Sequence, residues 1–262
     1  MTTKDDAGPT SWQSAVRIYN DFSDIVIGSS PEATVDLCVD HFVDIAAASI
    51  ARNGRFTVAL SGGSTPKAIF KALASAAHRS RIDWQHCWLF WSDERAVPPD
   101  HSDSNYHMAM SAGFGSLPIP AAQIFRMHTE DDDYEAYAHA YELAIKAHVV
   151  DGHFDLMMLG VGDDGHTASL FPGTHALAVH NRLAVANYVP SKGCWRMTLT
   201  FECINNARNI AIYAIGKSKA SIVYDVLAGL RKEPLLPTQR VGTDQHHALW
   251  FIDAEAASRL RL

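Results

Sequence analysis

"FDLMMLGVGDDGHTASLFPG" (residues 154–173) joins an apolar run to a glycine-rich turn, and how that junction is read decides the fold. "FDLMM" has the length and composition of a buried strand, and Gly160, Gly162 and Gly165 then spell G-x-G-x-x-G. A dinucleotide loop needs close backbone N–H groups, a following helix aimed at the pyrophosphate, and no competing negative charge. Asp163 and Asp164 sit inside this turn, and Pro172 interrupts any long helix after it. The turn is therefore not read as a cofactor loop. It offers instead an Asp-Gly-His triplet, Asp164 to His166, at a strand end, where open α/β sheets carry their ligands.

Working outward, strand-like and helix-like runs alternate. "EATVDLCVDHFVDIAAASIA" has helical periodicity, "FTVALS" is a short strand, and "PKAIFKALASAA" returns to helix. "CWLFW", "RLAVANYV", "WRMTLTF", "NIAIYAIG" and "ALWFID" read as further strands; "SNYHMAMSAGF", "DYEAYAHAYELAIKAHV", "KASIVYDVLAGL" and "AEAASRL" read as helices. The alternation predicts an α/β fold, a doubly wound and mostly parallel sheet with helices on both faces. With no repeat or composition break, residues 1–262 are expected to form a single domain.

The chain is 47% hydrophobic, enough for a large core, and its net charge of -7 argues against a nucleic-acid surface or an anionic membrane, both of which want a basic face. An anionic ligand would have to meet a local basic cluster. Cys38, Cys87, Cys194 and Cys203 lack C-x-x-C spacing and read as free thiols. The N-terminus has no signal-peptide core, and no apolar run approaches the ~20 residues of a span, so a cytoplasmic protein without membrane partners is expected. None of the 14 histidines falls in H-E-x-x-H, and no metal is expected.

Four loops carry unusual chemistry. "SGGSTP" follows a strand: Gly62 and Gly63 free the backbone, Ser64 and Thr65 offer hydroxyls, and Pro66 suits a first helical position with Thr65 as N-cap. It reads either as a phosphate nest or as an ordinary capped turn. "SDERAVPPDHSDSNYHM" places Asp93, Glu94 and Arg95 where they could orient a polar substrate, with Ser104 capping a helix from Asn105; alone, it would pass for a solvated loop. His166 is of the residue type best suited to take a proton at neutral pH, and Asp164, two residues before it, could set its tautomer. In "GKSKA", Lys217 or Lys219 begins a helix and could reach an anion held by the first loop.

Together these loops resemble the 6-phosphogluconolactonase family, relatives of the glucosamine-6-phosphate isomerase/deaminase enzymes. The resemblance rests on "LSGGSTP", "SDERAVPPDHSDSNY", "LGVGDDGHTASLFPG", "RMTLTFECINNAR", "GKSKA" and "LWFIDAEAAS", in the family's order across nearly the whole chain. It implies hydrolysis of 6-phospho-D-glucono-1,5-lactone to 6-phosphogluconate, in the oxidative pentose phosphate pathway, without a cofactor. It assigns Gly63, Ser64, Thr65 and Lys219, beside Gly62, to the substrate phosphate, and makes His166 the base with Asp164 as neighbour. Arg95 is implied on the substrate, held by Asp93, with Arg196 as a further anion contact. The family's proline-rich stretch is replaced by "VPSKGCWRM", so the course of the Lys192-Gly193-Cys194 loop does not follow from the resemblance. The isomerases resemble one another in a glutamate five residues after the histidine; here Phe171 stands there, and a phenyl ring cannot relay protons. A sugar-phosphate sensor would need no base. A monomer or small homo-oligomer acting on a phosphorylated sugar lactone is the resulting expectation.

Overall fold

A computed structural model describes residues 11–231 and 233–262. After a single turn of helix, α1 (Trp12–Ala15), come β1 (Arg17–Asn20) and β2 (Ser23–Gly28), two strands that the sequence reading did not anticipate. The long α2 (Pro31–Asn53) starts where the Ser30 hydroxyl accepts from Ala33 N–H and ends at Gly54 in the left-handed conformation. Next follow β3 (Phe56–Leu60), α3 (Ser64–Leu73), β4 (Cys87–Trp91), β5 (Asp93–Arg95), α4 (Asn105–Ser111) and α5 (Tyr134–His148). The chain closes with β6 (Leu156–Gly160), β7 (Ala184–Val189), β8 (Cys194–Leu199), α6 (Phe201–Asn205), β9 (Ile210–Ala214), α7 (Ala220–Leu227) and β10 (Ala248–Asp253). "AEAASRL", expected as a helix, is a series of turns.

Seven strands form the main sheet in the order β1-β2-β10-β9-β6-β3-β4, all parallel except β1 at the edge. The strands alternate strictly. Val58 and Leu60 face a core shared with α2 and α3, while Ala59 faces a second core shared with α5, α6 and α7. Both faces are covered, as the doubly wound reading requires, and this is why "LMML" and "IAIYA" are apolar on every residue rather than every other one.

Not every expected strand joins that sheet. β5, β8 and β7 form a separate antiparallel sheet, in that order. The charged "DER" thus contains a short strand, and "VPSKGC" is the tight turn of the β7–β8 hairpin, closed by Gly193 N–H donating to Pro190 C=O at 3.2 Å. From β3 the chain runs to β4 on one side and later returns to β6 on the other. Loops after β3 and β6 therefore diverge, and a crevice opens at the C-terminal ends of these strands. The small sheet stands beside it.

Candidate active site

That crevice contains a cavity of about 200 Å³ lined by Gly62, Gly63, Ser64, Thr65, Asp93, Arg95, His166, Arg196 and Lys219, among others. Five separate segments of sequence supply these residues. A larger hollow of about 420 Å³ lies beside Tyr106, Phe125 and Tyr141, but it is mostly aromatic, and volume alone does not locate the chemistry.

Helix α3 opens onto the cavity. Its N-cap is Gly63, at φ 103°, and no side chain caps it; Ser64 is already helical and Pro66 stands third. The expectation of Thr65 as N-cap is corrected here, and the reason is local: only glycine takes this φ without strain, so the helix begins two residues earlier. The result favours an anion more than the expected cap did. The first N–H groups of a ten-residue helix face the crevice, and Pro66 occupies a position whose N–H would have had no helical partner.

At the end of β6 the glycine turn folds back on itself, Gly162 N–H donating to His166 C=O at 2.8 Å and Gly165 N–H to Gly162 C=O at 2.9 Å. His166 Nδ1 lies 2.5 Å from Asp164 Oδ1, which also accepts from the His166 backbone N–H at 3.1 Å. An ionised carboxylate only accepts, so Nδ1 carries the proton and Nε2 is left with a free lone pair. Partial burial pushes the Asp164 carboxyl up, but the hydrogen bonds from the His166 ring and backbone outweigh it and hold Asp164 below the usual aspartate range. Asp164 therefore stays ionised behind the ring, outside the cavity wall. The imidazole stacks on Phe171, with centroids 3.9 Å apart and planes at 18°, and the Arg196 guanidinium carbon lies 5.7 Å from the same phenyl ring.

The small sheet brings positive charge. Arg95 and Arg196 are directly opposite each other in the β5–β8 ladder, an arrangement of like charges that costs stability, and each has a buried Nε without a partner among the described residues. An anion between them would offset that cost. Asp93 does not hold Arg95 as expected. Its carboxylate accepts from Ser169 Oγ at 2.6 Å and Asn105 Nδ2 at 3.1 Å, while Arg95 Nη1 reaches away to the Asp103 carbonyl. Neutral donors on two other loops have taken the carboxylate. Glu94, the other acid of that loop, is buried beneath α4 and accepts from Arg95, Asn105 and Tyr106 N–H and from Ser104 Oγ.

Of the two lysines, Lys219 reaches the cavity and Lys217 does not. Lys219 Nζ donates to Asp163 Oδ1 at 2.8 Å and to Val161 C=O at 3.1 Å, so it is pinned to the glycine turn. Its loop is tied in turn to β10 by Gly216 N–H donating to Asp253 Oδ1 at 2.9 Å. Lys192 is exposed on its hairpin, away from the cavity. Asn105 and Ser169 were missed as site residues. The first is hidden by its place in a helix start and the second by its position among the apolar residues after the histidine, and nothing in either stretch marks it as a partner of Asp93. Among the described residues there is no group of three or more His, Cys, Asp or Glu placed to hold a metal ion, and no helix is long and apolar enough to cross a membrane.

A family model described as "Glucosamine-6-phosphate isomerases/6-phosphogluconolactonase" matches residues 29–250. A 6-phosphogluconolactonase of Chlamydia pneumoniae is 40% identical over 239 residues, 91% of each chain, and one of Synechocystis is 41% identical over 218 residues, 81% of this chain and 88% of its own. Among solved structures, the 6-phosphogluconolactonase from Trypanosoma cruzi superposes with a TM-score of 0.81 at 27% identity, covering 94% of this chain and 99% of its own. A monomeric glucosamine-6-phosphate deaminase shares the fold at a TM-score of 0.75 with 22% identity, covering 90% of this chain and 99% of its own. With the match running from just after the second strand into the last and passing through every loop of the crevice, the chain belongs to the glucosamine-6-phosphate isomerase/6-phosphogluconolactonase family.

Proposed function

We propose that the protein hydrolyses 6-phospho-D-glucono-1,5-lactone to 6-phospho-D-gluconate, the lactone step of the oxidative pentose phosphate pathway. The observation that carries this reading is the His166–Asp164 pair opening onto the same cavity as an uncapped helix N-terminus, two opposed arginines and Lys219. The named relatives, similar over four-fifths or more of the chain, support the substrate. The phosphate sits among Gly63, Ser64, Thr65 and Lys219, with Arg196 as a further contact, and this remote anchor sets C1 of the lactone beside His166. Nε2 takes a proton from water as its oxygen bonds to C1. Charge passes to the carbonyl oxygen, where the Arg95 guanidinium and backbone N–H groups of the turn are at hand to meet it. As the tetrahedral species collapses, the C1–ring oxygen bond breaks and the imidazolium returns its proton to the departing oxygen. Asp164 keeps the ring in the working tautomer and stabilises its charged form. No step calls for a metal or a cofactor. On this reading one domain, working in the cytoplasm as a monomer or small homo-oligomer, carries the whole activity, with no nucleic-acid partner.

The test is a lactone-decay assay beside a fructose 6-phosphate amination and isomerisation assay, both run in excess chelator. Lactone loss well above the spontaneous rate, with no amino-sugar product, is expected. A decay curve that the protein leaves unchanged, or a rate that disappears with chelator and returns with Zn²⁺, overturns the reading.

A further inference from the structure

We infer that Phe171 is a positioning residue for the base, holding the His166 imidazole in the one plane from which Nε2 can meet the attacking water; this rests on the hydrolytic reading above. A general base works through a lone pair that lies in the ring plane, so the plane matters as much as the position. The Asp164 bond alone does not set it. A single hydrogen bond at Nδ1 is a pivot, and the ring can still turn about the Nδ1···Oδ1 line. The backbone of the turn is held by its own hydrogen bonds, Gly162 N–H to His166 C=O among them, but these fix the main chain and leave the side-chain torsions of His166 free.

Two neighbours remove the remaining freedom. Phe171 lies flat against the imidazole at 3.9 Å and 18° and is 2% exposed, so it cannot swing away without leaving the core. Gly162 closes in from a second side: a Cβ there would fall 2.0 Å from His166 Cε1 and 2.1 Å from Nδ1. The ring fits only because Gly162 has no side chain. Among the described residues, His166 is the aromatic ring that Phe171 stacks on, so this phenyl group is not simply one member of an aromatic core cluster. The Arg196 guanidinium lies near the same phenyl ring, so one rigid platform serves both the base and a cation meant for the substrate anion. A small misplacement of a catalytic group can cost about a hundredfold in rate.

The test compares Phe171→Leu, which keeps apolar bulk without a flat face, with Phe171→Tyr, which keeps the ring, each alone and in a His166→Asn background. Phe171→Leu is expected to lower kcat by about ten- to a hundredfold with KM within about twofold, Phe171→Tyr is expected to restore most of the rate, and neither should slow the His166→Asn enzyme further. Equal losses in both backgrounds overturn the inference in favour of a purely structural phenyl group, and so does an unchanged kcat in Phe171→Leu. A second measurement needs neither activity nor any Phe171 variant. In the wild-type protein the His166 Cε1–H proton resonance, identified by its disappearance in His166→Asn, should lie upfield under the phenyl ring current, and an ordinary position overturns the stack. Should the wild type fail to hydrolyse the lactone while this resonance is shifted, the hydrolytic reading falls and the geometry stands.

Discussion

In the proposed reaction His166 is the residue on which the chemistry turns, and its surroundings make its replacement a clean experiment. The ring lies at the cavity wall, and the backbone bonds that shape the turn run from Gly162 to Gly165 and His166 without using the side chain. His166→Asn should therefore fold and bind 6-phosphogluconate while kcat falls by about 10² to 10⁴, the usual contribution of a general base. A folded variant with near-wild-type kcat would move the base elsewhere. Lys219 belongs to the same scale. On the proposed reading it would anchor the phosphate, a part of the substrate that does not react, so Lys219→Ala should raise KM about tenfold or more, with a smaller effect on kcat, and gluconolactone without its phosphate should be a poor substrate. Equal turnover of both lactones would remove the phosphate from this corner. Asp163 occupies the lysine, and on the proposed reading the substrate phosphate would share or displace that contact.

Between residue and fold, the element that the sequence described least well is the charged loop around Glu94. Read alone it resembles a solvated turn, with Glu94 beside Asp93 and Arg95 as a residue that could orient a polar substrate. In the folded chain its carboxylate gathers three backbone N–H groups and a hydroxyl at the start of α4, and burial, aided by Asp93, holds its pKa above the usual glutamate range despite those bonds. Such a group binds a loop to a helix. Glu94→Ala leaves those donors unpaired in a buried place and should cost about 1–3 kcal/mol of stability, measured by urea denaturation. Loss of activity in step with a total loss of base catalysis, in a variant of unchanged stability, would restore Glu94 as a catalytic candidate. The β7–β8 hairpin is a second case at this scale. Its departure from the family's proline-rich pattern is confined to a turn at the tip, while Arg196, inside β8, is carried to the cavity by the ladder with β5.

For the molecule as a whole, a buried histidine at the opposite end of the sheet is expected to contribute to the response to acid. His41 on α2 is 2% exposed, packed between Trp12 and Phe251, and its Nδ1 has no partner among the described residues. Burial lowers its pKa to about 4, against a weaker upward pull from Asp44. The sign follows from linkage: between pH 4 and the ordinary histidine value the unfolded chain binds a proton that the folded chain refuses, so stability falls as pH falls through that window. His41 alone should remove about 2 kcal/mol between pH 7 and pH 5. His41→Phe, which also removes the unpaired nitrogen, should flatten the profile by that amount, as read from denaturation midpoints at the two pH values. An unchanged slope would place the acid sensitivity in other groups.

By itself, the sequence determined the alternation of buried strands and amphipathic helices, hence the doubly wound sheet, because both signals are local and repeat within a few residues. It also determined the Asp-Gly-His turn, since Asp164 and His166 are two residues apart and one glycine turn brings them into contact. Thr65 was misjudged because the capping residue depends on the φ of Gly63, which residue type permits but does not reveal. Only the tertiary structure could set Arg95 opposite Arg196, give Asp93 to Ser169 and Asn105, separate Lys219 from Lys217, and stack Phe171 on His166 and near Arg196. Most of these contacts join residues far apart in the chain, and their distances are fixed by which strands pair and where loops diverge, a property of the packed sheet and of no single segment.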